Sequence, residues 1–275
     1  MTIDAHQHFW RIARGDYFWM DDSVAAIAHD HLPEDLLERA AACGVTKTVV
    51  VQAAPSLAET RFLLELAEQS PLIGAVVGWL DLTKDVPAQL SQITHPALRG
   101  IRPMLQDLEP TDWILRPDVL EGLRQVARAE LRFDALVTPR HLDVIDRLAD
   151  EIPELPIVID HCAKPVFQDA DPGDAWRTGI ERLAAHPQIY CKLSGLANEF
   201  GPGWSAASLQ PVFDHVLGCF GADRVMWGSD WPVLDLAGDY QGWFKAAQDM
   251  ARDLDEDARA ALFGGTAEKF YAIAA

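Results

Sequence analysis

Eight short apolar runs, each followed by a helix-like stretch, recur along the whole of this 275-residue chain. The first lies within residues 1–8, and the others fall at 47–52, 73–80, 98–103, 131–137, 156–161, 189–193 and 224–228. Val49-Val50-Val51 and Ile157-Val158-Ile159 are continuous apolar cores without alternation, the pattern of parallel strands covered on both faces. Helical spacing of apolar residues marks 35–43, 57–69, 85–93, 118–129, 140–150, 174–185, 205–218 and 240–252, with further short helices at 256–263 and 265–271. A strand every roughly 25–45 residues, with a helix between, is the period of βα units. Eight such units close into an α/β (β/α)8 (TIM) barrel, and about 250 residues is one barrel's length, so residues 1–275 read as a single domain. An open doubly wound sheet would place a Gly-rich turn after its first strand, where this chain carries His6-Gln7-His8. Residues 9–33 include Trp10, Tyr17, Phe18 and Trp19 and are too long for a minimal connection. They predict an elaborated first βα loop covering one end of the fold.

Composition bounds the partners. The net charge is −19, which repels nucleic-acid backbones and anionic membranes. No apolar run is long enough to span a bilayer and no leader-like start is visible, so the expected setting is the cytoplasm. Cys43, Cys162, Cys191 and Cys219 have no CxxC spacing and read as reduced core thiols.

Barrel enzymes build their sites at the carboxyl ends of the strands. Those ends carry His6 and His8, then Arg102, His161 and Lys192, with Asp230 just past the eighth run. Strand alternation places Asp4, His6 and His8 on one face, with Asp4 deeper in a structural role. Three imidazoles and a carboxylate at one rim suit a single divalent metal ion, zinc first, with His6, His8, His161 and Asp230 as ligands. Asp230 is flanked by apolar residues, where a carboxylate must be paired or coordinated, and it is placed to take a proton from water. A turn-capping role for Asp230 and a core-closing role for His161 are the bland readings. Arg102 and Lys192 either receive developing oxyanion charge or pair with internal carboxylates. If the sixth strand continues through residue 161, Asp160 and His161 face opposite ways. Cys162 then points away from the site, which argues against cysteine catalysis. Trp10, Trp79, Trp113, Trp204 and Trp231 fall at or beyond strand ends, where their faces suit the apolar side of a sugar-like ring.

Several blocks carry a family resemblance: Asp4-Ala-His-Gln-His-Phe-Trp10, the Gly44–Ala53 segment, Leu98-Arg-Gly-Ile-Arg-Pro103, Val158-Ile-Asp-His-Cys-Ala-Lys-Pro165, Cys191-Lys-Leu-Ser-Gly-Leu196 and Met226-Trp-Gly-Ser-Asp-Trp-Pro232. In barrel order they resemble the metal-dependent amidohydrolase superfamily. The match narrows to its sugar-lactonase branch, which includes fuconolactonases and rhamnonolactonases and is related to the pyrone-dicarboxylate lactonases. The resemblance implies water-driven opening of a lactone ring, with His6, His8 and Asp230 as the transferred site residues and His161 matching the family histidine after strand six. The superfamily's metal-bridging lysine after strand four is missing, since Ile101, Arg102 and Pro103 stand there. Leu136, Val137 and Thr138 replace a histidine after strand five, so one metal is expected rather than two. The expected partner is a small sugar lactone, opened to its aldonic acid. A dicarboxylated pyrone would call for more basic anchors than Arg102 and Lys192. A decarboxylase or amide hydrolase on the same barrel, or a non-catalytic sugar-binding barrel, are the competing functions.

Overall fold

In the computed structural model, which describes residues 1–274, eight parallel strands pair in sequence order. The first third of the chain contributes β1 (Thr2–Gln7), α1 (Pro33–Ala42), β2 (Val45–Val51), α2 (Leu57–Gln69), β3 (Ile73–Gly78) and α3 (Val86–Leu90). There follow β4 (Leu98–Ile101), α4 (Pro117–Arg128), β5 (Arg132–Ala135), α5 (Leu142–Glu151), β6 (Ile157–Ile159) and α6 (Asp174–Ala184). The last third holds β7 (Ile189–Leu193), α7 (Leu196–Phe200), α8 (Ala206–Phe220), β8 (Val225–Trp227), α9 (Tyr240–Met250), α10 (Glu256–Ala260) and α11 (Thr266–Tyr271). The architecture is a (β/α)8 barrel, as the repeat of apolar runs predicts.

Two apolar layers hold it together. Ile3, Val49, Val51, Ala75, Val77, Val158 and Met226 fill the inside of the barrel, where Phe270 and Tyr271 of α11 join them. Outward strand residues such as Val50, Val76 and Phe133 pack on the helix layer. Helix starts follow their local chemistry: Pro33 opens α1, and the side chains of Ser56 and Asp239 cap α2 and α9.

The seam between β8 and β1 positions the site. His8 N donates to the Trp231 carbonyl at 2.7 Å, and Asp230 N donates to the His6 carbonyl at 2.8 Å. These bonds extend the pairing beyond β8 and bring residues more than 220 positions apart side by side. Gly228 makes the approach possible, because a Cβ there would lie 2.7 Å from the Cβ of His6.

Two local expectations are corrected. Pairing of β1 with β2 shifts register between Asp4 and Gln7, which breaks the alternation. Asp4 consequently meets Tyr240 of α9 in the outer layer, whereas His6 meets Asp160 of the inner cluster. Asp4 nonetheless has a structural part, accepting from the backbone N–H groups of His6 and Ser229. Second, β6 stops at Ile159 and does not reach 161, so Asp160 and His161 lie in a turn where strand alternation no longer applies. No helix among the described residues is long and apolar enough to cross a membrane.

Candidate active site

Three imidazoles surround one carboxylate oxygen. Asp230 Oδ1 lies 3.3 Å from His8 Nε2, 3.7 Å from His6 Nε2 and 3.9 Å from His161 Nε2. All four residues are buried. The opposite nitrogen of each ring has its own partner. His8 Nδ1 donates to the Val51 carbonyl at 2.8 Å, His161 Nδ1 meets Ser194 Oγ at 2.9 Å, and His6 Nδ1 lies 3.3 Å from Asp160 Oδ1. For His8 the carbonyl acceptor assigns the proton to Nδ1 and aims the Nε2 lone pair at Asp230, whereas His6 Nδ1 also lies 3.2 Å from Lys192 Nζ and its Nε2 lies 3.4 Å from the Arg102 guanidinium.

A neutral imidazole lone pair beside an ionised carboxylate is an arrangement that a bound cation would stabilise. Bonds of about 2.0–2.2 Å around a tetrahedral zinc ion separate its ligand atoms by about 3.4 Å. The distances from Asp230 Oδ1 to the three imidazoles lie near that spacing. His6, His161 and Asp230 offer ligand atoms all within 4.8 Å of one another, the spacing a single ion needs, and His8 stands outside that set.

Electrostatics favour neutral rings beside an ionised acid. Burial drives His6 well below the ordinary imidazole value, and nearby Lys192 adds to this against the pull of Asp160. Burial likewise lowers His161 to about 4. Burial alone would push the Asp230 carboxyl up, but attraction to the rings in their protonated form, His161 first, and a hydrogen bond from His8 outweigh it and hold the group well below the usual carboxylate range.

Beneath this cluster lies a buried ionic layer. Lys192 Nζ sits 2.5 Å from Asp134 Oδ2 and 3.1 Å from Asp160 Oδ1, with its side chain fully buried. The oxyanion role open to Lys192 is therefore corrected to the alternative, pairing with internal carboxylates below the cavity. Arg102 has a foot in each layer. It donates to Asp160 Oδ2 at 3.2 Å and to Gln52 Oε1 at 3.0 Å, also reaches the Gln52 carbonyl, and still lines the cavity. Asp134, Asp160, Gln52 and Ser194 were not anticipated. The available signal was Asp134 itself, a carboxylate inside an apolar strand run, which is costly unless paired.

The backbone bends sharply to present these groups. His161, Cys162, Ala163 and Lys164 have φ of 53°, 52°, 60° and 49°, and Asp230 has 61°. Each such L-residue costs roughly 1–2 kcal/mol, strain that persists where a site over-determines the conformation. Cys162 is buried with its Sγ toward the Lys192 carbonyl, as expected for a core thiol.

The cavity above the cluster has a volume of about 230 Å³. His8, His161, Arg102 and Asp230 line its base, and Trp19, Gln106 and Lys164 stand in its walls. The five tryptophans expected at the substrate do not line it. Trp10 and Trp231 are buried beneath the first loop, their indole N–H groups donating to the His29 carbonyl and to Asp235. Trp204 donates to the Ala237 carbonyl and packs on Trp243. Trp79 and Trp113 line a neighbouring cavity of about 270 Å³ that shares Met104 and Asp107 with the first. Burial accounts for Trp10 and Trp231, while the partly exposed Trp79, Trp113 and Trp204 face other surfaces of the fold. The aromatic wall of the reaction cavity is Trp19, from the first loop, tied by its N–H to the Ala53 carbonyl at 2.8 Å.

A family model described as Amidohydrolase matches residues 3–273. An L-fucono-1,5-lactonase of Burkholderia ambifaria is 46% identical to this chain, covering 98% of it and 95% of its own length. A second L-fucono-1,5-lactonase, from Burkholderia multivorans, is 35% identical over 99% of this chain and 96% of its own. Among solved structures, an amidohydrolase from Burkholderia multivorans with bound zinc superposes with a TM-score of 0.94 at 35% identity, covering all of both chains.

Proposed function

The chain belongs to the amidohydrolase family, and from that footing we propose that it hydrolyses a sugar lactone, an aldonolactone such as L-fucono-1,5-lactone, to the aldonic acid. The observation that carries this reading is the ring of three imidazole Nε2 atoms around Asp230 Oδ1 at the base of a cavity of about 230 Å³.

Because Oδ1 of Asp230 stands among the imidazoles, Oδ2 is left to accept a proton from the attacking water. The lactone carbonyl carbon takes the new bond, and the Arg102 guanidinium, fixed by Gln52 and Asp160, faces the negative charge that forms on the carbonyl oxygen. The ring C–O bond then breaks, and the departing oxygen recovers the proton held by Asp230. His6, His8, His161 and Asp230 are the residues that would hold a zinc ion, which when bound supplies Lewis-acid polarisation and a more acidic water. Asp160 and Lys192 together fix the His6 ring from its Nδ1 side.

The cavity's charge inventory favours a neutral ring over a dicarboxylate. Arg102 is taken up by the carbonyl oxygen and by Asp160, and Lys164 is paired with Glu199, which leaves no unpaired cation for further carboxylates. The partner inferred is a small neutral molecule met in the cytoplasm rather than a nucleic acid, whose phosphates a chain of net charge −19 repels. The test is acid release from a panel of aldonolactones, with chelated and zinc-restored samples and a protein-free blank. At least one sugar lactone is expected to open far above the blank; no release beyond it with zinc restored would overturn the function.

A further inference from the structure

The left-handed turn after β6 presents two side chains to the reaction cavity. His161 and Lys164 are three residues apart, and in a turn of about three residues they return to the same side. Both line the cavity. None of residues 161–164 is glycine, although glycine adopts this backbone without cost. His161 belongs to the site already described; Lys164 has no part in the hydrolytic steps.

Its ammonium is held by a residue from the next unit. Lys164 Nζ lies 3.0 Å from Glu199 Oε1 on α7, and the two side chains are 23% and 27% exposed. An ammonium carries three donors and a carboxylate several lone pairs, so one contact leaves each with capacity to spare. Lys164 lines the cavity and Glu199, outside the lining, holds its carboxylate 3.0 Å from that ammonium, so a charged donor in the wall has a charged acceptor next to it, with no net charge to demand an anionic ligand. Two adjacent hydroxyls of a sugar ring match it, one accepting from Lys164 and the other donating to Glu199. An unsubstituted lactone ring has no hydroxyl for either group, and its two oxygens are engaged at the reacting centre.

Resting on the lactonase reading, we propose that the Lys164–Glu199 pair is the binding site for two neighbouring ring hydroxyls and the determinant that selects polyhydroxylated lactones over plain ones. Native protein, Lys164→Met, Lys164→Arg and Glu199→Gln are each assayed on L-fucono-1,5-lactone and on δ-valerolactone, with thermal melts alongside. The ratio of kcat/KM for the sugar lactone to that for δ-valerolactone is expected to fall about 10- to 100-fold in K164M and E199Q, chiefly through a higher KM for the sugar. K164R is expected to retain more of that ratio than K164M. A purely structural ion pair would lower both substrates together, so a ratio within about twofold of native in both K164M and E199Q overturns the inference while leaving the lactonase reading intact. E199Q is isosteric and carries the test if K164M fails to fold. A native protein that opens neither lactone removes the lactonase reading itself, and this inference with it.

Discussion

A Cβ at Gly195 would stand 2.6 Å from His161 Nδ1, inside any permissible carbon–nitrogen contact. Gly195 also has φ of 65°, so the residue just beyond β7 is shaped both by its own backbone and by the ring lying against it. His161 keeps its place because this position has no side chain.

Substituting Gly195→Ala is therefore expected to displace His161 before it unfolds the barrel. Turnover of a sugar lactone should fall at least about tenfold, with a stability loss of about 1–3 kcal/mol from overpacking and strain. Acid-release kinetics and denaturant melts report the two effects separately. Native-level turnover in this variant would show that the ring is not held where the structure places it.

Asp230→Asn keeps the size of the side chain and removes the proton acceptor. A loss of about 10²–10⁴-fold in kcat is expected, the usual scale for a general base, with a loss of stability small beside it and no larger than that caused by removing the metal. Hydrolysis at close to the native rate would reassign the base.

Prolonged dialysis against a strong chelator should strip one metal ion per chain from the His6, His8, His161 and Asp230 set. Elemental analysis and a melting curve are the direct readouts. The stripped protein is expected to melt lower, and zinc should restore the native curve because a ligand of the folded state alone stabilises it. A melting curve identical before and after, with no metal found initially, would count against the proposed set.

Stability should also fall as the solution turns alkaline. Glu59 is buried and accepts from the N–H groups of Ala53 and Ala54 after β2, and burial raises its carboxyl to about 8 from an ordinary 4.5. Between those values the folded chain holds a proton that the unfolded chain has released. The stabilisation is complete below about 4.5 and is lost as pH climbs through 8, with a slope of at most about 1.4 kcal/mol per pH unit. Denaturant titrations of native and Glu59→Gln protein from pH 5 to 9 test this. The native curve should decline across that range and the variant's should decline less; parallel curves would free Glu59 of the effect.

Much of the architecture was legible because its signals are local. Val49–Val51, Ile157–Ile159 and the helical stripes between such runs each state their element within a few residues. Counting them yields the barrel, and the barrel rule yields the rim where His6, His8, Arg102, His161 and Asp230 meet. What a residue does once at that rim was less legible. Lys192 and Arg102 share the same local signal, a cation at a strand end, yet one pairs with Asp134 in the interior while the other reaches the cavity. Tryptophan position misled for a related reason, since a strand-end indole can turn under a loop as readily as into the opening, as Trp10 and Trp231 do.

The order of residues by itself determined the eight βα units, and with them which strand ends share one face, because helical and strand periodicity are written in near neighbours. Only the tertiary structure decided the seam that sets Asp230 against His6 and His8, the halt of β6 at Ile159 that turns both Asp160 and His161 inward, and the burial of Lys192 between two carboxylates. Each of those depends on side chains far apart in the chain competing for the same small space, where sterics and the cost of an unpaired buried charge, not local propensity, select the outcome.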